Sequence, residues 1–205
     1  PNKIQVRLAD ENSGVSVTRD LDWRDAQMLS DQRWQLRLDR VPAGGLYRVE
    51  TRLILPSTAS ASEWGAHGDM IHHLGVGDLW VIAGQSNSAG YGRGDVDDPP
   101  ELGLHLFRNR MKWDLATHPL NESTHTAHPE NQEGANSGHS PYLSFARLVK
   151  RQLGFPIGLV QTSLGGSPLV AWNPTEDGPH PLWENMWRCI EVVGATGSVQ
   201  HAGEN

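Results

Sequence analysis

Leu79-Trp80-Val81-Ile82-Ala83-Gly84-Gln85-Ser86-Asn87-Ser88-Ala89-Gly90-Tyr91-Gly92 is the stretch from which the rest of the chain can be read. Its first five residues are apolar without interruption, as in a strand buried on both faces of a parallel sheet. The run breaks at Gly84, and small or polar residues follow. Ser86 therefore stands just past the carboxyl end of a strand, where open α/β sheets hold their reactive groups. Its neighbours are small or carry amides, which leaves room for a substrate. Ser86 is the candidate nucleophile, with Gln85 and Asn87 as candidate substrate contacts.

Downstream the same alternation repeats. Ser140 can cap a helix with Pro141 at its first position. Tyr142, Phe145, Ala146, Val149 and Leu153 then mark one helical face, and Gly154 and Pro156 end it. Ile157–Val160 is the next buried strand, and Gln161-Thr162-Ser163-Leu164-Gly165-Gly166-Ser167 is the loop at its end. A second helix starts at Leu182 or Trp183, with Trp183, Met186, Trp187, Ile190 and Val193 as its apolar stripe. Ser198–His201 begins a third strand, and Gly203-Glu204-Asn205 lies at its end. Such alternation predicts a parallel sheet with right-handed crossovers, so three strand ends deliver polar or glycine loops to one edge. Residues 92–139 show little periodicity apart from a short strand near Leu104–Phe107. A loop of that length is uncommon unless functional, and it is expected to fold over the mouth of the site.

A serine hydroxyl is a poor nucleophile until a base takes its proton, and acyl transfer also needs donors aimed at the developing oxyanion. The Ser86 N–H, the backbone N–H groups of Gly165 or Gly166, and the Asn205 side-chain amide supply three donors from three strand ends.

The chain resembles the SGNH (GDSL-like) hydrolases, and among them the carbohydrate and sialate O-acetylesterases. The resemblance is carried by Gly77-Asp78-Leu79-Trp80 with Gly84-Gln85-Ser86-Asn87, by Leu164-Gly165-Gly166-Ser167 followed by Trp172, and by Gly203-Glu204-Asn205. Ser88 replaces a common Met, and Ala202 replaces a common Gln. The resemblance implies a flavodoxin-like α/β domain over residues 76–205. It also implies a serine esterase that removes acetyl groups from carbohydrate through an acyl-enzyme, without metal or organic cofactor, in a secreted or periplasmic setting. The family's Asp-x-x-His block, which supplies base and orienting acid, occurs nowhere in the sequence. The domain is thus expected to be incomplete at its C-terminus, with a longer polypeptide or a second chain completing it.

Residues 1–75 read as β structure. Lys3–Leu8 and Trp34–Leu38 alternate, Tyr47–Leu55 and Met70–Val76 are further candidates, and Pro42-Ala43-Gly44-Gly45 reads as the turn of a hairpin. A sandwich-like accessory domain is expected there.

Bulk properties exclude some classes. The net charge of −7 argues against nucleic-acid binding. No apolar run approaches the roughly 20 residues of a membrane span. The single Cys189 rules out an internal disulfide framework and reads as a buried small hydrophobe. His118, His125 and His128 lack a zinc signature and read as solvated loop residues. His139 and Trp172 are candidate substrate contacts, although packing under the oxyanion loop is the favoured reading of Trp172. A glycan-binding module with a decayed site and an esterase for non-sugar esters are the alternative functions.

Overall fold

The structure is a computed structural model that describes residues 3–29, 33–55, 66–134, 137–175 and 177–194. The chain divides into two compact units, Pro1–Val76 and Gly77–Asn205.

In the first unit β1 (Lys3–Asp10), β2 (Arg24–Asp25), β5 (Gly44–Ile54) and β6 (Ala66–Val76) form an antiparallel sheet in the order β2-β1-β5-β6. A two-residue ribbon joins β3 (Gln27–Met28) to β4 (Trp34–Gln35). Leu8, Leu21 and Tyr47 form the buried centre, with Val17, Leu38, Val49 and Leu74 packed on it. The opposite face is ionic. Glu50 is buried and accepts hydrogen bonds from Arg7 Nε (2.8 Å) and Arg48 Nε (2.7 Å). The hairpin expected between Trp34–Leu38 and Tyr47–Leu55 does not form. Both edges of β5 are taken, by β1 in register from Lys3↔Ile54 to Asp10↔Tyr47 and by β6, so Trp34 and Gln35 pair with β3 instead.

The second unit is α/β. Its sheet runs β7 (Asp78–Ile82), β10 (Ile157–Gln161), β8 (Leu104–Arg108), β9 (Lys112–Leu115). The first three are parallel and β9 returns antiparallel to β8. Helix α2 (Tyr142–Leu153) covers one face, where Leu143 and Ala146 meet Ile82, Leu104, Leu106, Ile157 and Leu159. Helix α3 (Pro181–Val192) covers the other, where Cys189 meets Phe107 and Val160. Alternate residues of β10 serve the two layers, as the two-residue period of a strand requires.

Three expectations are corrected. The strand buried on both faces is β10, every residue of which is buried, and not β7, where Leu79 is 39% exposed and only Ile82 is buried. β10 has a neighbour on each side, whereas among the described residues β7 has one. The buried face of α3 is Leu182, Asn185, Met186, Cys189 and Ile190, so the stripe is rotated and Trp187 lies at the surface. Ser140 does not cap α2: Pro141 holds the cap position, its carbonyl accepts the Phe145 N–H, and the Ser140 hydroxyl is buried with no partner among the described residues. Within residues 92–139 the strand expected near Leu104–Phe107 is present as β8, and a second strand, β9, which was not expected, lies beside it. The remainder of this segment is tied down by side chains: Asp98 receives Arg147 and His118, and Glu101 receives Arg147 and Lys150. The third strand expected at Ser198–His201 lies outside the described residues.

Candidate active site

Neighbouring parallel strands place their ends side by side, about 4.8 Å apart. β7 and β10 are such neighbours, in register at Gln161↔Ile82. The lacing continues past both strands. Thr162 donates its N–H (3.0 Å) and its hydroxyl (2.8 Å) to the Ile82 carbonyl, and Leu164 N–H donates to the Gly84 carbonyl at 3.0 Å. Two residues beyond Gly84 lies Ser86, and directly after Leu164 come Gly165 and Gly166. Two of the three loops singled out in the sequence are thus stitched together.

Gly84 makes the turn into the serine possible. Its φ is +126°, and a Cβ there would stand 2.6 Å from Ser88 Oγ. Ser86 opens a four-residue helix, α1 (Ser86–Ala89), and is half-buried, while Gln85 and Asn87 are exposed on either side of it. The first N–H groups of a helix have no intrahelical acceptor, so the Ser86 N–H is left unpaired within its own helix. Among the described residues no histidine or carboxylate is hydrogen-bonded to the Ser86 hydroxyl.

The diglycine loop is clamped at three successive backbone groups. Leu164 N–H is taken by Gly84. The Leu164 carbonyl accepts Ser167 Oγ (2.8 Å) and Ser167 N–H (3.3 Å). Gly165 N–H donates to Glu133 Oε1 at 2.8 Å. The next donor along, Gly166 N–H, has no acceptor among the described residues, and a Cβ on Gly166 would meet nothing within 4 Å. Gly166 has φ +69°, which glycine adopts without strain. Trp172 Nε1 donates to Ser167 Oγ at 2.9 Å, so this half-buried indole braces the loop through its polar edge.

Glu133 escaped the sequence reading. It is only 4% exposed, and its Oε1 also accepts Asn121 Nδ2 at 2.6 Å, while Tyr91 donates its hydroxyl to Oε2. That bond, first, and burial push the Tyr91 phenol above its usual pKa. No local pattern marks Glu133, which lies 32 residues before Gly165.

His139 forms a backbone bridge with Gly92, and its ring centroid is 6.0 Å from that of His118. The expectation of solvated histidines fails for two of the three. His118 Nε2 lies 3.0 Å from buried Asp98, and His128 Nδ1 lies 2.7 Å from Arg188, while His125 is exposed. Among the described residues no three His, Cys, Asp or Glu side chains group to hold a metal ion, and no helix is long and apolar enough to cross a membrane. Asn205 lies outside the described residues.

Against known proteins, the family model for the carbohydrate esterases described as sialic acid-specific acetylesterases matches residues 76–202. The chain belongs to that family. The match begins where the α/β unit begins and takes in both stitched loops, in keeping with the resemblance to carbohydrate acetylesterases. Among solved structures, a protein of Arabidopsis thaliana aligns with 56% of the chain and 50% of its own length, at 26% identity and a TM-score of 0.45. A carbohydrate acetylesterase from Xanthomonas citri aligns with 93% of this esterase-family chain and 42% of its own, at 19% identity and a TM-score of 0.44. The chain therefore spans half or less of each of these two proteins. No relative is found among curated proteins.

Proposed function

We propose that this chain carries the nucleophile-bearing part of a serine acetylesterase acting on acetylated carbohydrate. The observation that carries the reading is the Leu164 N–H to Gly84 carbonyl bond, which sets the serine turn and the diglycine loop edge to edge. In this reading Ser86 attacks the acetyl carbonyl, and the sugar hydroxyl leaves as the tetrahedral intermediate collapses to an acetyl-enzyme. Water then releases acetate. Of the two glycines, Gly166 is the oxyanion donor together with the Ser86 N–H, because the Gly165 N–H is already spent on Glu133. Each such donor is typically worth about 10²–10³ in rate. Asn205 is the third donor in the proposal, and a histidine and aspartate beyond the described residues supply base and orienting acid. Gln85 and Asn87, exposed beside the serine, and His139 are the proposed contacts to the sugar, whereas Trp172 serves the loop.

The α/β unit is proposed to be the SGNH-type domain, with a flavodoxin-like parallel sheet flanked by helices, and the β unit an accessory domain. The test is acetate release by the full-length protein from acetylated xylan and from O-acetylated sialic acid, beside a simple aryl acetate. Carbohydrate acetates are expected to be preferred and Ser86→Ala to abolish turnover. Wild-type activity in Ser86→Ala overturns the proposal, and turnover of the aryl ester alone favours a non-sugar esterase.

A further inference from the structure

We propose that Glu133 is a positioning residue, the group that fixes the diglycine loop so that Gly166 presents its N–H to the acyl group. The inference rests on the reading of Ser86 and this loop as the reactive centre.

A buried carboxylate is costly unless its lone pairs are used. Among the described residues the donors that Glu133 receives are uncharged, and they come from three separate segments. Tyr91 follows the serine turn, Asn121 lies in the segment between β9 and α2, and Gly165 belongs to the loop after β10. Asn121 also donates to the Ser163 carbonyl at 3.1 Å and accepts Asn109 Nδ2 at 2.6 Å. Glu133 therefore grips the loop twice, directly at Gly165 and through Asn121 at Ser163.

The bonds also form a chain. Trp172 Nε1 donates to Ser167 Oγ, whose hydroxyl donates to the Leu164 carbonyl. That carbonyl and the Gly165 N–H belong to one peptide, and the N–H ends the chain on Glu133. Hydrogen bonds in series polarise one another, so the peptide is held from both its oxygen and its nitrogen side. The next peptide along carries the Gly166 N–H, and its orientation is inherited from the one that Glu133 fixes. The Gly165 and Asn121 N–H groups need an acceptor at Oε1, whereas the Tyr91 hydroxyl at Oε2 can donate or accept. Glutamine can keep its carbonyl on Gly165 and Asn121 while its amide faces the Tyr91 oxygen. Aspartate keeps the charge but is one methylene too short to reach all three.

A donor that acts on the oxyanion is felt in the transition state, so its misplacement lowers kcat and leaves KM nearly unchanged. In the full-length protein, Glu133→Ala is expected to lower kcat per folded molecule about 10²–10³-fold. Glu133→Gln should recover most of that loss, and Glu133→Asp should not. A merely structural role would reduce the folded fraction and the melting temperature without this order in kcat. Where Glu133→Ala does not fold, the Glu133→Asp and Glu133→Gln pair is read in the same way. Backbone amide NMR gives a readout independent of turnover: the Gly165 and Gly166 resonances should move together in Glu133→Asp and stay near wild type in Glu133→Gln. With Ser86→Ala inactive, an unchanged kcat in Glu133→Ala or Glu133→Asp overturns the positioning role and leaves the nucleophile standing. Full activity in Ser86→Ala overturns the site and this role with it.

Discussion

Gly165→Ala tests the packing around the carboxylate by steric means. A Cβ on Gly165 would stand 2.7 Å from the Tyr91 hydroxyl oxygen and 2.9 Å from Glu133 Oε2 and Tyr91 Cε2. Gly165 is not among the positive-φ glycines, so the backbone itself accepts alanine and the cost is contact alone. The phenol and the carboxylate must retreat by several tenths of an ångström, and they are hydrogen-bonded to each other and to the loop. Overpacking of this kind costs about 1–3 kcal/mol, and a weakened bond to a charged acceptor costs about 1.5–3 kcal/mol. The restricted unfolded chain returns about 0.4–1 kcal/mol. The net destabilisation is about 3.5 kcal/mol, which lowers the melting temperature by about 7–14 °C in a chain of this size. Tyr91→Phe removes the oxygen nearest the new methyl, so the double variant should be more stable than the sum of the single losses predicts, by about 0.5–1 kcal/mol. Differential scanning calorimetry of the four proteins reads both quantities. An unchanged melting temperature in Gly165→Ala, or strict additivity in the double variant, would refute the contact geometry.

Three further outcomes follow from the contacts described above. Burial pushes the Asp98 carboxyl up, but the hydrogen bonds from Arg147 and His118 outweigh it and hold the group below the usual carboxylate range. A depressed carboxylate stabilises fully above its unfolded pKa of about 3.9 and loses that contribution as pH falls through the folded value. Thermal melts from pH 7 to pH 3 should therefore show Asp98→Asn less stable at neutral pH and the gap closing below about pH 4; a constant gap contradicts the pairing. Burial also pushes the Cys189 thiol up to about 11, so a disulfide reagent at mildly alkaline pH should label it only after unfolding, and rapid labelling of the native protein contradicts its place in the core. Gly84→Ala forces a side chain into φ +126° and to 2.6 Å from Ser88 Oγ, and strain of this kind costs about 1–3 kcal/mol. Both the melting temperature and acetate release should fall, and loss of neither contradicts the turn described here.

What was legible in the sequence was local. The glycine that ends the apolar run and the serine after it are set by backbone sterics within a few residues, and Gly84 has the positive φ that the break implies. Burial is set by neighbours and is not a local property. β7 is as apolar as β10, yet of these two strands β10 alone has a neighbour on each side among the described residues. The α3 core face includes Asn185, fully buried, and a polar residue at a core position hides the helical stripe. Trp183 and Trp187 drew the reading by their size, but they meet edge-to-face at 5.7 Å, with Trp187 at the surface. The two-residue pairing of β4 with β3 depends on which partners β5 has already taken, which no window of sequence contains. Glu133 was invisible for the same reason, since its donors are Tyr91, Asn121 and Gly165, at both ends of the α/β unit's central segment.

The most direct measurement is to catch the acyl group. Full-length protein mixed with an aryl acetate and quenched in acid within the first turnovers should carry the mass of one acetyl group on the peptide that contains Ser86, and Ser86→Ala should carry none. An acetyl group found on another residue, or turnover with no Ser86 adduct and no loss on substitution, would contradict the account.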